Sequence, residues 1–277
     1  MTIKKSYLFV IAFMLCLACA VSPFFIQKNN AYATKEEKYY CDDTYNGLGT
    51  PVDIESNFTY DNYDLTLEYI QRMMPDYESV NQANACAPTA GTIVVAYYDV
   101  DFPNLIPDYE PGSLYNGVYY WGPMSMTILS VKEDLYDRMK TNVYGAGTTI
   151  NLFKSGLESY VEDSGYNIAY NRAYNLTQAR SYFENNIPVV LFLNSYTYYT
   201  FAGFSVGSTQ ANLVGKQSSA SHVCVAYGYA EYQFYTNGSL SRTEKYLIVS
   251  FGNETSGYLS VNSMSSIDEM WAVTVSN

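Results

Sequence analysis

NQANACAPTAG, residues Asn81 to Gly91, is where the fold and the chemistry of this chain meet. A cysteine that fills a core stands among bulky apolar residues, whereas Cys86 stands among Asn81, Gln82, Asn84, Ala85, Ala87 and Thr89. The polar NQANA before it and the apolar spacing of GTIVVAYYD after it predict a helix that starts at or near Cys86. Pro88 fits that start, because proline is tolerated best in a first helical turn. A thiol so placed faces unpaired backbone N–H groups and the positive end of the helix dipole. Both favour the thiolate, lower the thiol pKa and make the sulfur a nucleophile.

A thiolate that attacks a carbonyl needs a proton carrier for the leaving group, and imidazole is the side chain suited to that task near neutral pH. The chain has one histidine. His222 opens the apolar run SHVCVAYGY and follows the polar GKQSSAS, which predicts a loop delivering it onto the edge of a sheet. A lone histidine is more often an ordinary surface or hydrogen-bonded core residue; taken with Cys86 it makes a nucleophile and its base. Cys224, two residues further on the same strand face, reads as a small buried hydrophobe.

Working outward, the hydrophobic period changes once. YDLTLEYIQRMM spaces Leu65, Tyr69, Ile70 and Met73 as one helical face, and MTILSVKEDLYDRMK does the same with Ile128, Val131, Leu135 and Met139. A further helix is expected to be capped by Thr149, to carry Ile150, Phe153, Leu157 and Tyr160 on one face, and to stop at Gly165. Beyond Gly165, YNIAYNRAY alternates as a half-buried strand. A short helix over about Thr177–Asn185 then leads to Val189–Leu193, a continuous apolar run expected to be buried on both faces. SHVCVAYGY, KYLIVSFG, GYLSV and MWAVTV complete an antiparallel sheet, with a hairpin turn at Asn237-Gly238. Helices first and strands second predict an α+β fold with two lobes inside one domain. The connection from Phe102 to Trp121, rich in Pro, Gly and Tyr, is expected to shape a cleft.

Residues 1–33 read as a secretory signal peptide. Lys4 and Lys5 precede an apolar stretch from Tyr7 to Val21, and an A-x-A pattern at Ala31 to Ala33 marks the cleavage site. An uncleaved anchor helix is the alternative, against which Pro23 and the polar QKNN interrupt the run. Cleavage removes Lys4, Lys5 and Lys28 but no acid, so the formal charge moves from −12 to −15. Such a surface argues against nucleic acid and anionic lipid as partners. The mature product is expected to be secreted and extracellular, with no membrane association once the signal is gone. Residues 34–62 are polar without a sustained period and read as a mobile arm or a short propeptide, ahead of a catalytic domain over 63–277. Five cysteines fall to three, Cys41, Cys86 and Cys224, too few and too odd in number for a disulfide framework. A Cys41–Cys86 disulfide would mask the thiol in a latent form, but loop cysteines are more often incidental. One histidine and three cysteines do not make a zinc site, and no glycine-rich loop cradles a phosphate, so neither metal nor cofactor is expected.

On these pieces the sequence resembles the papain-like fold of cysteine peptidases, and within it the bacterial branch typified by peptidases that process double-glycine bacteriocin leaders. The matching segments are NQANACAPTAGTIVVAYYD, FKSGLESYVEDSGY with ENNIPVVLFLNSY, SHVCVAYGY, and YLIVSFGNETSGYLSVN, over roughly Tyr63 to Asn277. The resemblance implies Cys86 as nucleophile and His222 as general base and acid. It also implies a polar side chain shortly before the cysteine that joins the Cys86 N–H in binding the tetrahedral oxyanion. Gln82 is the candidate, nearer the cysteine than the family usually places it, with Asn81 the alternative. The residue that orients the imidazole is expected at Asn253 in VSFGNET. Aligning SFG with the family's Ser-Trp-Gly would instead put that position on Val249, which cannot orient an imidazole. The implied reaction is hydrolysis of a peptide or protein substrate through a Cys86 acyl-enzyme. An amine acceptor in place of water would make the same pair a transpeptidase or amidase acting on peptide crosslinks. A third reading is a non-catalytic binding or adhesion module on the same scaffold.

Overall fold

The first helix of the fold, α1, spans Cys86–Asp99, and all of its residues are buried. Its sequence is a poor helix former, with Gly91 and several β-branched residues, so packing rather than propensity holds it. It lies against α2 (Met126–Arg138), α3 (Ile150–Asp163) and the sheet. Each later helix starts at a side-chain cap. Ser125 accepts from the Ile128 N–H and Thr149 from the Leu152 N–H, and Asn175 caps α4 (Leu176–Glu184) by accepting from the Gln178 N–H. Helix α3 ends before Gly165, whose φ of +87° supplies the left-handed exit expected from the sequence. The computed structural model of the protein describes residues 37–41, 51–78, 82–116, 118–253 and 256–277. The stretch read as a signal peptide and Asn81 lie outside these.

The strands are β1 (Tyr39–Tyr40), β2 (Val52–Thr59), β3 (Asn62–Tyr69), β4 (Gly112–Tyr115), β5 (Val118–Trp121), β6 (Thr148–Thr149), β7 (Asn167–Ala173), β8 (Val189–Leu193), β9 (Tyr196–Val206), β10 (Gln210–Ser218), β11 (His222–Thr236), β12 (Ser239–Ser250), β13 (Ser256–Ser260) and β14 (Ile267–Ser276). Ten of them form one antiparallel sheet in the order β2-β10-β9-β13-β12-β11-β8-β14-β7, with β3 also paired to β11. Strand β11 is the spine. Its first residues, His222–Ala226, pair with β8, and Gly228–Tyr235 pair with β3. Strand β8 is fully buried, as a continuous apolar run requires. Asn237 and Gly238, with φ of +52° and +73°, turn β11 into β12 as the Asn-Gly pair predicted.

Three expectations are corrected. YDLTLEYIQRMM is not a helix: residues 62–69 form β3, and of the supposed face only Ile70 is buried, while Leu65, Tyr69 and Met73 are exposed. Leu65, Leu67 and Tyr69 also satisfy a period of two, and pairing to β11 selects that one. Within the polar stretch 34–62, where no strand was expected, the described residues include β1 and β2, the latter alternating with Ile54 and Phe58 turned toward a second core. The strands β9 and β10, between Tyr196 and Ser218, add a hairpin beyond the strands expected.

Tyrosine is structural here. A main core joins α1, α2 and α3 to β8, β11 and β14, and a smaller aromatic core gathers Tyr60, Tyr199, Phe234 and Tyr246 under the outer strands. A phenol buries a large ring while its hydroxyl reaches a polar partner, as when Tyr98 donates to the Val273 carbonyl and Tyr160 to that of Leu105.

Candidate functional site

Cys86 is the first residue of α1, as its flanking sequence predicted. Ala85, the residue before the helix, offers no side-chain cap, and the Thr89 N–H donates to its carbonyl. Asn84, at φ +57°, makes the turn into the helix, and its amide donates to Asn142. The thiol is buried at 1% exposure, and part of its cover is polar backbone: the Tyr40 carbonyl oxygen lies 4.0 Å from Sγ.

His222 is the first residue of β11 and is wholly buried. Its Nε2 is 2.8 Å from the carbonyl oxygen of Phe251. A carbonyl only accepts, so Nε2 carries the proton and Nδ1 is the basic nitrogen of the neutral ring. Tyr196 stacks on the imidazole at 5.6 Å between centroids, and Phe251 flanks it at 6.5 Å.

Three links run from the thiol side of the molecule to the histidine side. Helix α1 packs on β11. In the first turn of α1, Thr89 sits so close to Gly252 that a side-chain carbon there would be 3.0 Å from its methyl; Gly252 follows the residue that binds His222. Burial pushes the Tyr196 phenol up, with smaller electrostatic contributions from Cys224 and Cys86, so Tyr196, stacked on the imidazole, lies within electrostatic range of both thiols.

The remaining candidates fall as follows. Gln82 is half-buried, and its side-chain oxygen is sealed from solvent without a hydrogen-bond partner. Rotating that amide would put its N–H donors at the same place. Asn253 forms a backbone bridge with Glu78, whereas the imidazole Nε2 is bonded two residues earlier, to the main chain of Phe251. A backbone carbonyl leaves no residue-type signal, so the contact to Phe251 could not be read from the sequence. Val249 lies buried within β12. Cys224 is wholly buried and its thiol is pushed up by burial, as suits a core residue. Among the described residues no disulfide joins Cys41, Cys86 or Cys224. The Tyr-rich connection forms the β4–β5 hairpin, and the groove it borders with Arg72, Tyr97, Asp101 and Tyr119 is not lined by Cys86 or His222. Among the described residues no cluster of three or more His, Cys, Asp and Glu is placed to hold a metal ion, and no helix is long and apolar enough to cross a membrane.

Burial drives the His222 pKa down to about 4, the Phe251 carbonyl offsetting part of the shift. The ring is therefore neutral at physiological pH. Because the folded pKa lies below the unfolded value of about 6.5, the protonated ring favours the unfolded chain. The associated stability is present above pH 6.5 and is lost as pH falls toward 4. Burial also raises the Asp99 carboxyl to about 6, which acts in the opposite direction over the same range. Comparing urea unfolding of the wild type with that of His222→Gln cancels Asp99. The stability difference between the two should shift against the wild type by about 2 kcal/mol between pH 7 and pH 4.5. A pH-independent difference would mean that His222 titrates normally in the fold.

A family model described as "Peptidase_C39 like family" matches residues 74–265. No curated protein matches the sequence. Among solved structures, one from Bacillus anthracis described as a C39-like peptidase aligns with 71% of this chain and 98% of its own, at 11% identity and a TM-score of 0.31.

Proposed function

Since this chain belongs to the peptidase C39-like family of papain-like cysteine peptidases, we propose that it hydrolyses peptide bonds, with Cys86 as nucleophile and His222 as general base and acid. The observation that carries the reading is the hydrogen bond of the His222 Nε2 to the Phe251 carbonyl at the turn that touches the first turn of α1. It fixes the tautomer with the basic nitrogen at Nδ1, the arrangement a thiol needs to lose its proton. In this reading the Phe251 main chain orients the ring, two residues before Asn253, the side chain expected from the sequence to do so.

In this mechanism Nδ1 takes the Cys86 proton as sulfur attacks the substrate carbonyl. The Cys86 N–H and the Gln82 amide donate to the oxyanion, and the imidazolium returns its proton to the leaving amine. Water then releases the acyl group from sulfur by the same base. The helix terminus favours the thiolate while it forms. No step calls for a metal or cofactor. Export through the signal peptide over residues 1–33 belongs to the same proposal and makes peptides or proteins outside the cell the substrates.

Incubating the full chain with a peptide library, and analysing products by mass spectrometry with and without an added primary amine, tests the reading. Hydrolysis is expected, with carboxylate products predominating even when the amine is present. Predominant amide products would make the protein a transpeptidase. Unchanged peptides under reducing conditions would favour the binding module.

A further inference from the structure

The segment Lys38–Cys41 runs past the thiol of Cys86. Tyr39 and Tyr40 pair antiparallel with Thr149 and Thr148 of β6, at the start of α3. From the other side, the Ser221 hydroxyl accepts from the Cys41 N–H and donates to the Cys41 carbonyl, at 3.0 Å each. The strand is thus gripped between the loop before α3 and the residue before His222. Two glycines make room for it. A side-chain carbon at Gly147 would stand 2.0 Å from the Tyr40 carbonyl oxygen, and one at Gly145 would stand 3.0 Å from the Tyr39 ring.

Tyr40 itself fills a pocket. It is 2% exposed, its ring meets Phe192 edge-on at 5.0 Å, and its phenol donates to Asp268 at 3.1 Å. Lys38 pairs with the same carboxylate and lies over the Tyr40 ring. An aromatic wall with a carboxylate at its far end suits a tyrosine side chain in both shape and polarity.

The bond between Tyr40 and Cys41 has its carbonyl oxygen 4.0 Å from Cys86 Sγ, and its nitrogen is bonded to the neighbour of His222. A carbonyl beside the nucleophile and a leaving nitrogen held by the residue that precedes the proton carrier in the chain suit a bond presented for cleavage. Resting on the peptidase reading, we propose that Cys86 cuts the Tyr40–Cys41 bond of its own chain, and that the segment ending at Tyr40 covers the thiol until it does.

The step balances with water as its only co-reactant. Sulfur forms a bond to the Tyr40 carbonyl carbon, and the thiol proton passes through His222 to the Cys41 nitrogen. The C–N bond breaks, and Cys41 becomes a new N-terminal amine. Water then attacks the thioester, its hydroxyl completing the Tyr40 carboxyl group and its other proton returning to sulfur. The cut falls beyond the signal cleavage site expected after Ala33, within the stretch that the sequence left open as an arm or a propeptide.

The test follows the N-terminus of the purified full chain over time by intact mass and N-terminal sequencing, in reductant, beside folded Cys86→Ala and Cys86→Ser, with hydrolysis of an added peptide library read in parallel. Expected is a single conversion to a chain beginning at Cys41, first order and with a rate independent of protein concentration. Both variants should stay intact, and library hydrolysis should show a lag that tracks the conversion. Cys86-dependent library hydrolysis with the Tyr40–Cys41 bond whole would overturn the proposal and leave the peptidase reading standing. Conversion that persists in both variants, or that accelerates with protein concentration, would overturn self-cleavage within one chain. If neither the library nor the chain is cut, the peptidase reading falls and this inference with it.

Discussion

Replacing Cys86 by alanine is expected to lower peptide hydrolysis by on the order of 10⁴-fold or more, because no other group of the site can form the acyl intermediate. His222→Ala should cost roughly 10²–10⁴-fold, the contribution of a positioned acid and base. The two losses should not add in the double variant, since nucleophile and base act as one unit. Both variants are compared as folded proteins: Cys86 is a small residue at a helix end, whereas His222 is a buried ring packed on Tyr196 and Phe251, so its truncation is also expected to cost stability. The measurement is kcat/KM on one peptide with circular dichroism as the control for folding. Wild-type rates in folded Cys86→Ala would refute a thiol mechanism. A loss in Cys86→Ala with none in His222→Ala would leave the nucleophile in place and remove the imidazole from the chemistry.

The second large effect is on stability. Phe192 lies in the middle of β8, wholly buried, with its backbone paired to Val223 of β11 and Glu269 of β14. Its ring is edge-on to Phe153 of α3 at 5.5 Å and to Tyr40 at 5.0 Å. Phe192→Ala therefore opens a cavity where a helix, the sheet and the covering strand converge, and backbone ladders on both sides of β8 hinder its collapse. A loss of about 3–5 kcal/mol is expected. Urea unfolding should show a lower midpoint with an unchanged slope. A loss under about 1 kcal/mol would mean that the surrounding elements close the gap and that β8 is not the rigid seam between helices and sheet.

Much of this was legible in the chain. The small polar residues around Cys86 pointed to a helix terminus, and α1 begins at that residue. The caps at Thr149 and Asn237-Gly238's left-handed turn could be read because each depends on local stereochemistry alone. The buried β8 announced itself by an uninterrupted apolar run. What failed did so where a distant strand decides the outcome. Leu65 and Tyr69 fit a period of four as well as a period of two, and only the ladder with β11 chooses between them. The edge strand β2 is mostly polar, so its hydrophobic signal is too thin to separate it from a loop.

The same division runs through the site. Residue chemistry and order along the chain singled out Cys86 and His222 as candidates, because thiol and imidazole are scarce, and pointed to the family to which the chain belongs. The tertiary structure alone decided that the imidazole is held by the Phe251 main chain, that burial keeps the ring neutral, and that the Tyr40 carbonyl lies against the thiol. Backbone groups are the same in every residue, and burial is a property of packing. Neither can be written into a residue's identity, so both appear only once the chain has folded around them.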